Sequence, residues 1–151
     1  MLTVQVEPFP ALLEELRPLL PLHWEELALN KDKVPLDPQY DVYLRRDALG
    51  EILAISARED GELTGYFIGF VAPGLHYKTC LTLIMDIFFI HPKSRNRFAG
   101  LKLFKAVEAE AKRRGVQRMI VGSKMHKDAS VLFERLSYSP VETYYSKWIG
   151  D

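Results

Sequence analysis

Cysteine is nearly missing from this 151-residue chain, and net charge, long apolar runs and a basic N-terminal segment are missing altogether. The single Cys80 excludes an internal disulfide and a cysteine zinc cluster, and it suits a reducing compartment, so a cytoplasmic location is the expectation. The longest apolar stretch, Cys80 to Ile90, is broken by Thr82 and Asp86 and falls short of the ~20 residues that a membrane helix needs. The start, Met-Leu-Thr-Val-Gln-Val, lacks the basic-then-apolar order of a secretory leader. Twenty basic residues balance twenty acidic ones, and 48% of residues are hydrophobic, so disorder is excluded on composition. A chain of this length buries roughly 70% of its unfolded surface, enough for one core. No repeat, linker or low-complexity tract divides it, and one domain over 1–151 is expected.

The charge balance hides a gradient. Met1 to Glu62 carries 13 acidic and 6 basic residues, whereas His91 to Lys127 carries 11 basic and 2 acidic. The second segment therefore suits an anionic partner.

Alternation predicts a strand at Leu2–Val6, and the leucine spacing in Phe9–Leu29 predicts a helical region that Pro18 and Pro21 divide in two. Asn30–Gln39, with Pro35 and Pro38, reads as a mobile surface loop. Tyr40–Leu49 reads as a helix stopped by Gly50. Ile52–Ala57 and Leu63–Val71 read as strands joined through Asp60-Gly61, a hairpin signal. Pro73–Lys78 reads as a loop, followed by a long strand at Leu81–Ile90. Phe98–Arg114 has the clearest helical stripe, ended by Gly115. A short strand at Val116–Val121, a helix at Ala129–Leu136 capped by Asp128, and a final β-rich segment at Val141–Ile149 complete an α+β order.

The run His91-Pro92-Lys93-Ser94-Arg95-Asn96-Arg97-Phe98-Ala99-Gly100-Leu101 joins a buried-type strand to the strongest helix. A helix start offers amide hydrogens without internal partners and the positive end of the dipole, so phosphates bind there. Arg95 and Arg97 add full charges, and Gly100 removes a β-carbon that would stand in the way. These features point to a pyrophosphate site; a helix that carries arginines near its start for unrelated reasons is the competing reading.

The residues Asp86 to Phe104 resemble the acetyl-coenzyme A signature of the GNAT superfamily of N-acetyltransferases. Arg95 and Gly100 match the outer positions of its R/Q-x-x-G-x-G/A pattern, and Phe98 stands at the usual first glycine. The segment Leu132-Phe133-Glu134-Arg135-Leu136-Ser137-Tyr138 is similar to the family's later L-Y-E-K-L-G-F. The resemblance implies a central mixed, mostly antiparallel sheet flanked by helices, with a splayed parallel strand pair. It further implies that the amides of Arg95, Asn96, Arg97, Phe98, Ala99, Gly100 and Leu101 cradle the coenzyme A pyrophosphate. Ile87, Phe88, Phe89 and Ile90 would bond the pantetheine arm. The family often has an asparagine near the position of His126, which could orient coenzyme A or simply be a surface histidine. Acetyl-CoA as co-substrate, no metal, a small-molecule or peptide amine as acceptor, and neither nucleic acid nor membrane as partner are the resulting expectations. Dimers are common in the family, which leaves a homodimer open.

Acetyl transfer needs a neutral amine. Freeing a lysine-like amine of pKa ~10.4 at pH 7 costs roughly 4–5 kcal/mol, against about 1 kcal/mol for an α-amine. Asp86 is the only charged residue between Leu81 and Ile90, and an acidic residue is frequent there in the family, so it is the candidate general base. An Asp that pairs with a cation across the sheet, or that faces water, is the alternative. The family's usual acid, a tyrosine in L-Y-E-K, is Phe133 here. Tyr144 and Tyr145 are the candidate substitutes, although a thiol of pKa near 8.5 leaves as thiolate at pH 7 for only about 2 kcal/mol. His76, Tyr77, Glu25 and Glu26 are candidates to line the acceptor side or simply to face solvent, and Ser94 and Ser123 have no His/Asp relay to make a hydrolase. Two other functions compete with transfer: a coenzyme-binding regulatory protein that has lost activity, favoured by Phe98 and Phe133, and nucleic-acid binding through the basic helix, which lacks interleaved aromatics.

Overall fold

A computed structural model describes residues 1–96 and 98–151, and Arg97 lies outside the described residues. Five strands lie side by side in chain order: β1 (Leu2–Val6), β2 (Ile52–Glu59), β3 (Glu62–Gly74), β4 (Tyr77–Ile90) and β5 (Arg118–Ile120). Neighbours are antiparallel up to β4, and β4 pairs with β5 in parallel. The helices are α1 (Phe9–Leu16), α2 (Leu20–Leu27), α3 (Tyr40–Ala48), α4 (Ala99–Arg113) and α5 (Ser130–Arg135), with a 3₁₀ turn at Arg17–Leu19 between the first two. That turn falls at Pro18, where the ring cannot donate the helical hydrogen bond.

The sheet buries a different cluster on each face. On one, Leu103, Phe104 and Val107 of α4 pack onto Leu53, Ile55, Phe67 and Leu83. On the other, Phe9, Leu12 and Leu16 of α1 pack onto Ile52, Tyr66, Ile68 and Phe89. The β2–β3 turn holds Asp60 at φ 50° and Gly61 at φ 88°, the paired left-handed geometry that Asp-Gly accepts cheaply.

Three sequence expectations need correction. Pro73–Lys78 is mostly strand, because β3 continues to Gly74 and pairs it with Tyr77, leaving only Leu75 and His76 at the tip. The pairing shifts beside Pro73, which has no N–H to give to the ladder. Val141–Ile149 is not a strand: a strand needs an edge to bond to, and this segment finds none among the described residues. Tyr144, Tyr145 and Ile149 are exposed along it. The strand expected at 116–121 shortens to β5, and no described helix is long and apolar enough to cross a membrane.

Candidate active site

Two positions of the sheet create the site. The β4–β5 ladder consists of Thr82–Arg118, Leu83–Met119 and Ile84–Ile120 and ends there, so from Met85 onward β4 has no ladder partner on that side among the described residues. At the same point β4 bulges. Ile68 pairs with Ile87 and Gly69 with Met85, which leaves Asp86 as the extra residue. The bulge changes which side chains face which helices. Met85 packs with the α4 cluster and Ile87 with the α1 cluster, while Asp86 meets Tyr43 of α3. A regular strand would send residues 86 and 87 to opposite faces; the bulge turns both toward α1 and α3.

Asp86 Oδ2 accepts a hydrogen bond of 2.5 Å from the Tyr43 hydroxyl. Burial raises the Asp86 carboxyl above its ordinary pKa, opposed by the Tyr43 hydrogen bond and by the Arg46 charge. Arg46 is held over the Phe70 ring, 3.9 Å from its centroid, and its Nε donates to Glu51. Burial and the adjacent carboxylate push the Tyr43 hydroxyl well above its usual range, which makes it a donor to Asp86 rather than a base. Sequence reasoning missed Tyr43 and Arg46. The available signal was their place on the helix after the proline-rich loop, three residues apart and therefore on one face.

The turn from His91 to Leu101 lies where the sequence places it, at the end of β4 and the start of α4. The Asn96 side-chain oxygen accepts from the amides of Phe98 (2.9 Å) and Ala99 (3.0 Å), so two N–H groups converge on one oxygen at the N-terminus of a 15-residue helix. Ser94 beside it is buried, and its Oγ has no hydrogen-bond partner among the described residues. Converging amides and an unpaired hydroxyl suit an anion such as a diphosphate.

Two residues of the turn have other partners as well. Arg95 Nε donates to the Ile90 carbonyl at 2.6 Å, and its terminal nitrogen reaches Glu26 of α2 at 2.5 Å. Glu26 therefore ties α2 to the turn, and Glu25 pairs with Lys31. Gly100 faces α5: a β-carbon there would stand 3.0 Å from Leu132 Cδ2, so the space that the glycine leaves is filled by Leu132. Phe98 is 52% exposed. Phe88 joins Phe104 and Phe133 in edge-to-face contacts on the α4 side, and Phe89 stacks on His23 on the other.

The remaining candidates are spread out. The exposed His126 ring reaches the Leu27 carbonyl at the end of α2, 3.2 Å away. Tyr144 and Tyr145 are 84% and 93% exposed on the C-terminal tail, and no described hydrogen bond joins them to Asp86 or to the turn. A hydrogen bond to Glu142 raises the Tyr144 hydroxyl. His76 and Tyr77 sit together at the exposed hairpin tip.

A cavity of about 390 Å³ lies on the Asp86 side of the sheet, between α1, α2, α3 and the 28–38 loop, with Ile68 and Ile87 on its wall. The loop is exposed, as expected of a surface segment, and it forms one side of this half-open cleft. Lys33 and Val34 N–H both donate to the Asn30 carbonyl within it.

Residues 10–138 match the acetyltransferase (GNAT) family. The chain belongs to the GNAT family and is an acetyltransferase. No curated protein matches it in sequence. Among solved structures, a GCN5-related N-acetyltransferase from Ralstonia eutropha JMP134 is 19% identical with a TM-score of 0.76, over 99% of this chain and 100% of that one. An aminoglycoside acetyltransferase from an uncultured soil sample is 16% identical with a TM-score of 0.74, over 99% of each chain. A predicted acetyltransferase from Clostridium acetobutylicum, solved with acetyl-CoA, is 13% identical with a TM-score of 0.69, over 99% of this chain and 97% of that one. At these identities the likeness is one of fold, and the shared mixed sheet carries it.

Proposed function

We propose that this protein is an acetyl-CoA-dependent N-acetyltransferase that moves the acetyl group to a primary amine by direct attack, with Asp86 as general base. The observation that carries this reading is the bulge: it turns a half-buried carboxylate out of β4 at the point where β4 parts from β5. The acetyl-CoA bound in the Clostridium relative supports the choice of donor.

In this reading the amides around Asn96–Leu101, with Ser94 beside them, hold the diphosphate, and Asn96 yields the amide hydrogens of Phe98 and Ala99 to it. The open edge of β4 at Ile87–Ile90 bonds the pantetheine arm in the manner of an added strand. Bound there, acetyl-CoA supplies an activated carbonyl. The amine nitrogen bonds to the carbonyl carbon, the C–S bond breaks, and the amine proton passes to Asp86 directly or through water. Tyr43 holds the carboxylate in place and, as a donor, stabilises its charged form. The leaving thiolate needs no fixed acid at a pKa near 8.5, for about 2 kcal/mol at pH 7, which fits Phe133 at the usual tyrosine position and exposed Tyr144 and Tyr145.

Free-thiol release from acetyl-CoA across a panel of amines tests the reading. Release that depends on an amine supports it. Calorimetric binding of acetyl-CoA with no release on any amine would favour the regulatory alternative.

A further inference from the structure

The cavity beside Asp86 has a composition of its own, and from it we infer that the acceptor is a small primary amine carrying a bulky apolar group, aromatic or branched, rather than a sugar-borne or polycationic amine. This inference rests on the acetyl-transfer reading and names the acceptor class.

The cavity's volume, about 390 Å³, lies within the roughly 300–1,000 Å³ of small-molecule sites. Its walls come from Leu13, Leu16 and Leu20 on the helices and from Val34 and Leu36 on the loop, with Trp24 as an aromatic side. Asp37 is the only charged residue among the described lining residues, and Tyr40 and Tyr43 add hydroxyls. Tyr43 donates to Asp86 and Ile87 follows it in the chain, so the cavity ends one side chain away from the carboxylate. An ammonium group is attracted past Asp37, and its apolar body lies along the cleft while the nitrogen points toward Asp86. A hydroxyl-rich amine would lose its water against walls that offer few partners, and an unpaired buried polar group is disfavoured. The acidic excess between Met1 and Glu62 does not change this, because Glu25 and Glu26 are engaged with Lys31 and Arg95.

The experiment measures kcat/KM for propylamine, butylamine, hexylamine and 2-phenylethylamine against glucosamine, kanamycin and a tripeptide that begins with Phe. The expected result is a rise of about fourfold per added methylene along the linear series until the cavity is full, with glucosamine and kanamycin far below hexylamine. Val34→Asn and Leu36→Asn, at positions 44% and 40% exposed and so tolerable to the fold, should flatten that slope. A flat wild-type series, or glucosamine or kanamycin exceeding hexylamine, overturns the inference while leaving acetyl transfer intact; a tripeptide exceeding 2-phenylethylamine overturns its small-molecule part. If no amine is acetylated, the transfer reading fails on its own, and calorimetry with 2-phenylethylamine still decides the cavity: binding lost in Leu36→Asn supports it, and no binding to the wild type overturns it.

Discussion

The two halves of the site are built differently. The turn between β4 and α4 is local in sequence, and its proposed role rests on amide hydrogens and a helix start. The Asp86 side is assembled from segments distant in sequence: Tyr43 and Arg46 on α3, Phe70 on β3 and Asp86 on β4. The first half is a polar turn; the second borders a cleft lined mostly by apolar side chains. The contrast teaches that a helix-start turn can be written locally in a chain, whereas the environment that shifts a carboxylate such as Asp86 is a property of packing.

The largest expected effect probes the packed half. Asp86→Asn removes the base but keeps the shape, and kcat should fall about 10²–10⁴-fold. Acetyl-CoA affinity, read by calorimetry, should change far less, because the proposed cofactor contacts are to main-chain amides and not to the Asp86 side chain. Equal losses in both would erase the distinction.

Next comes pH. Burial lowers the pKa of His23, whose Nδ1 lies 2.8 Å from the Tyr66 hydroxyl, to about 4. Between pH 6.5 and about 4 the unfolded chain takes up a proton that the folded chain refuses, so stability falls as pH drops through that window, by about 3 kcal/mol in all. Urea unfolding from pH 7.5 to 4 should show this slope, and His23→Gln should reduce it. An unchanged slope would mean that this face is not sealed from water at His23.

A smaller effect is expected at Tyr43→Phe. The Tyr43 hydroxyl favours the charged form of Asp86, so its loss should move the acidic limb of the rate profile to higher pH. A limb that stays in place would uncouple the two groups.

The smallest effect is on the turn. Gly100→Ala should change stability by about 1 kcal/mol or less, with any cost relieved in a Leu132→Ala background, since Leu132 is what a β-carbon would meet. Acetyl-CoA affinity should not change. A large loss of affinity would return Gly100 to the role of clearing space for phosphate.

The same contrast decides what could be read from the chain. Hydrophobic period, Asp60-Gly61 and the prolines located β1–β4 and the helices, because these signals act over a few residues. The glycine-containing turn was legible for the same reason. The Asp86 bulge was not, since a bulge is a relation between two strands, and neither was the cavity, whose walls lie on three helices, one loop and the sheet. The segment 141–149 shows the converse error. Its β-type residues predict a strand, but a strand also requires a neighbour, and the sequence does not state whether one is available. Gly100 reads in the sequence as room for a phosphate, whereas the group that a β-carbon there would meet is Leu132 of α5.

The most direct test of Asp86 as base is kcat measured against pH with one accepted amine, for the wild type and for Asp86→Asn. The wild type should show an acidic limb above the ordinary carboxylate range, because burial raises the group, and the variant should show no such limb. The same limb in both proteins would assign the proton to another residue and contradict the mechanism.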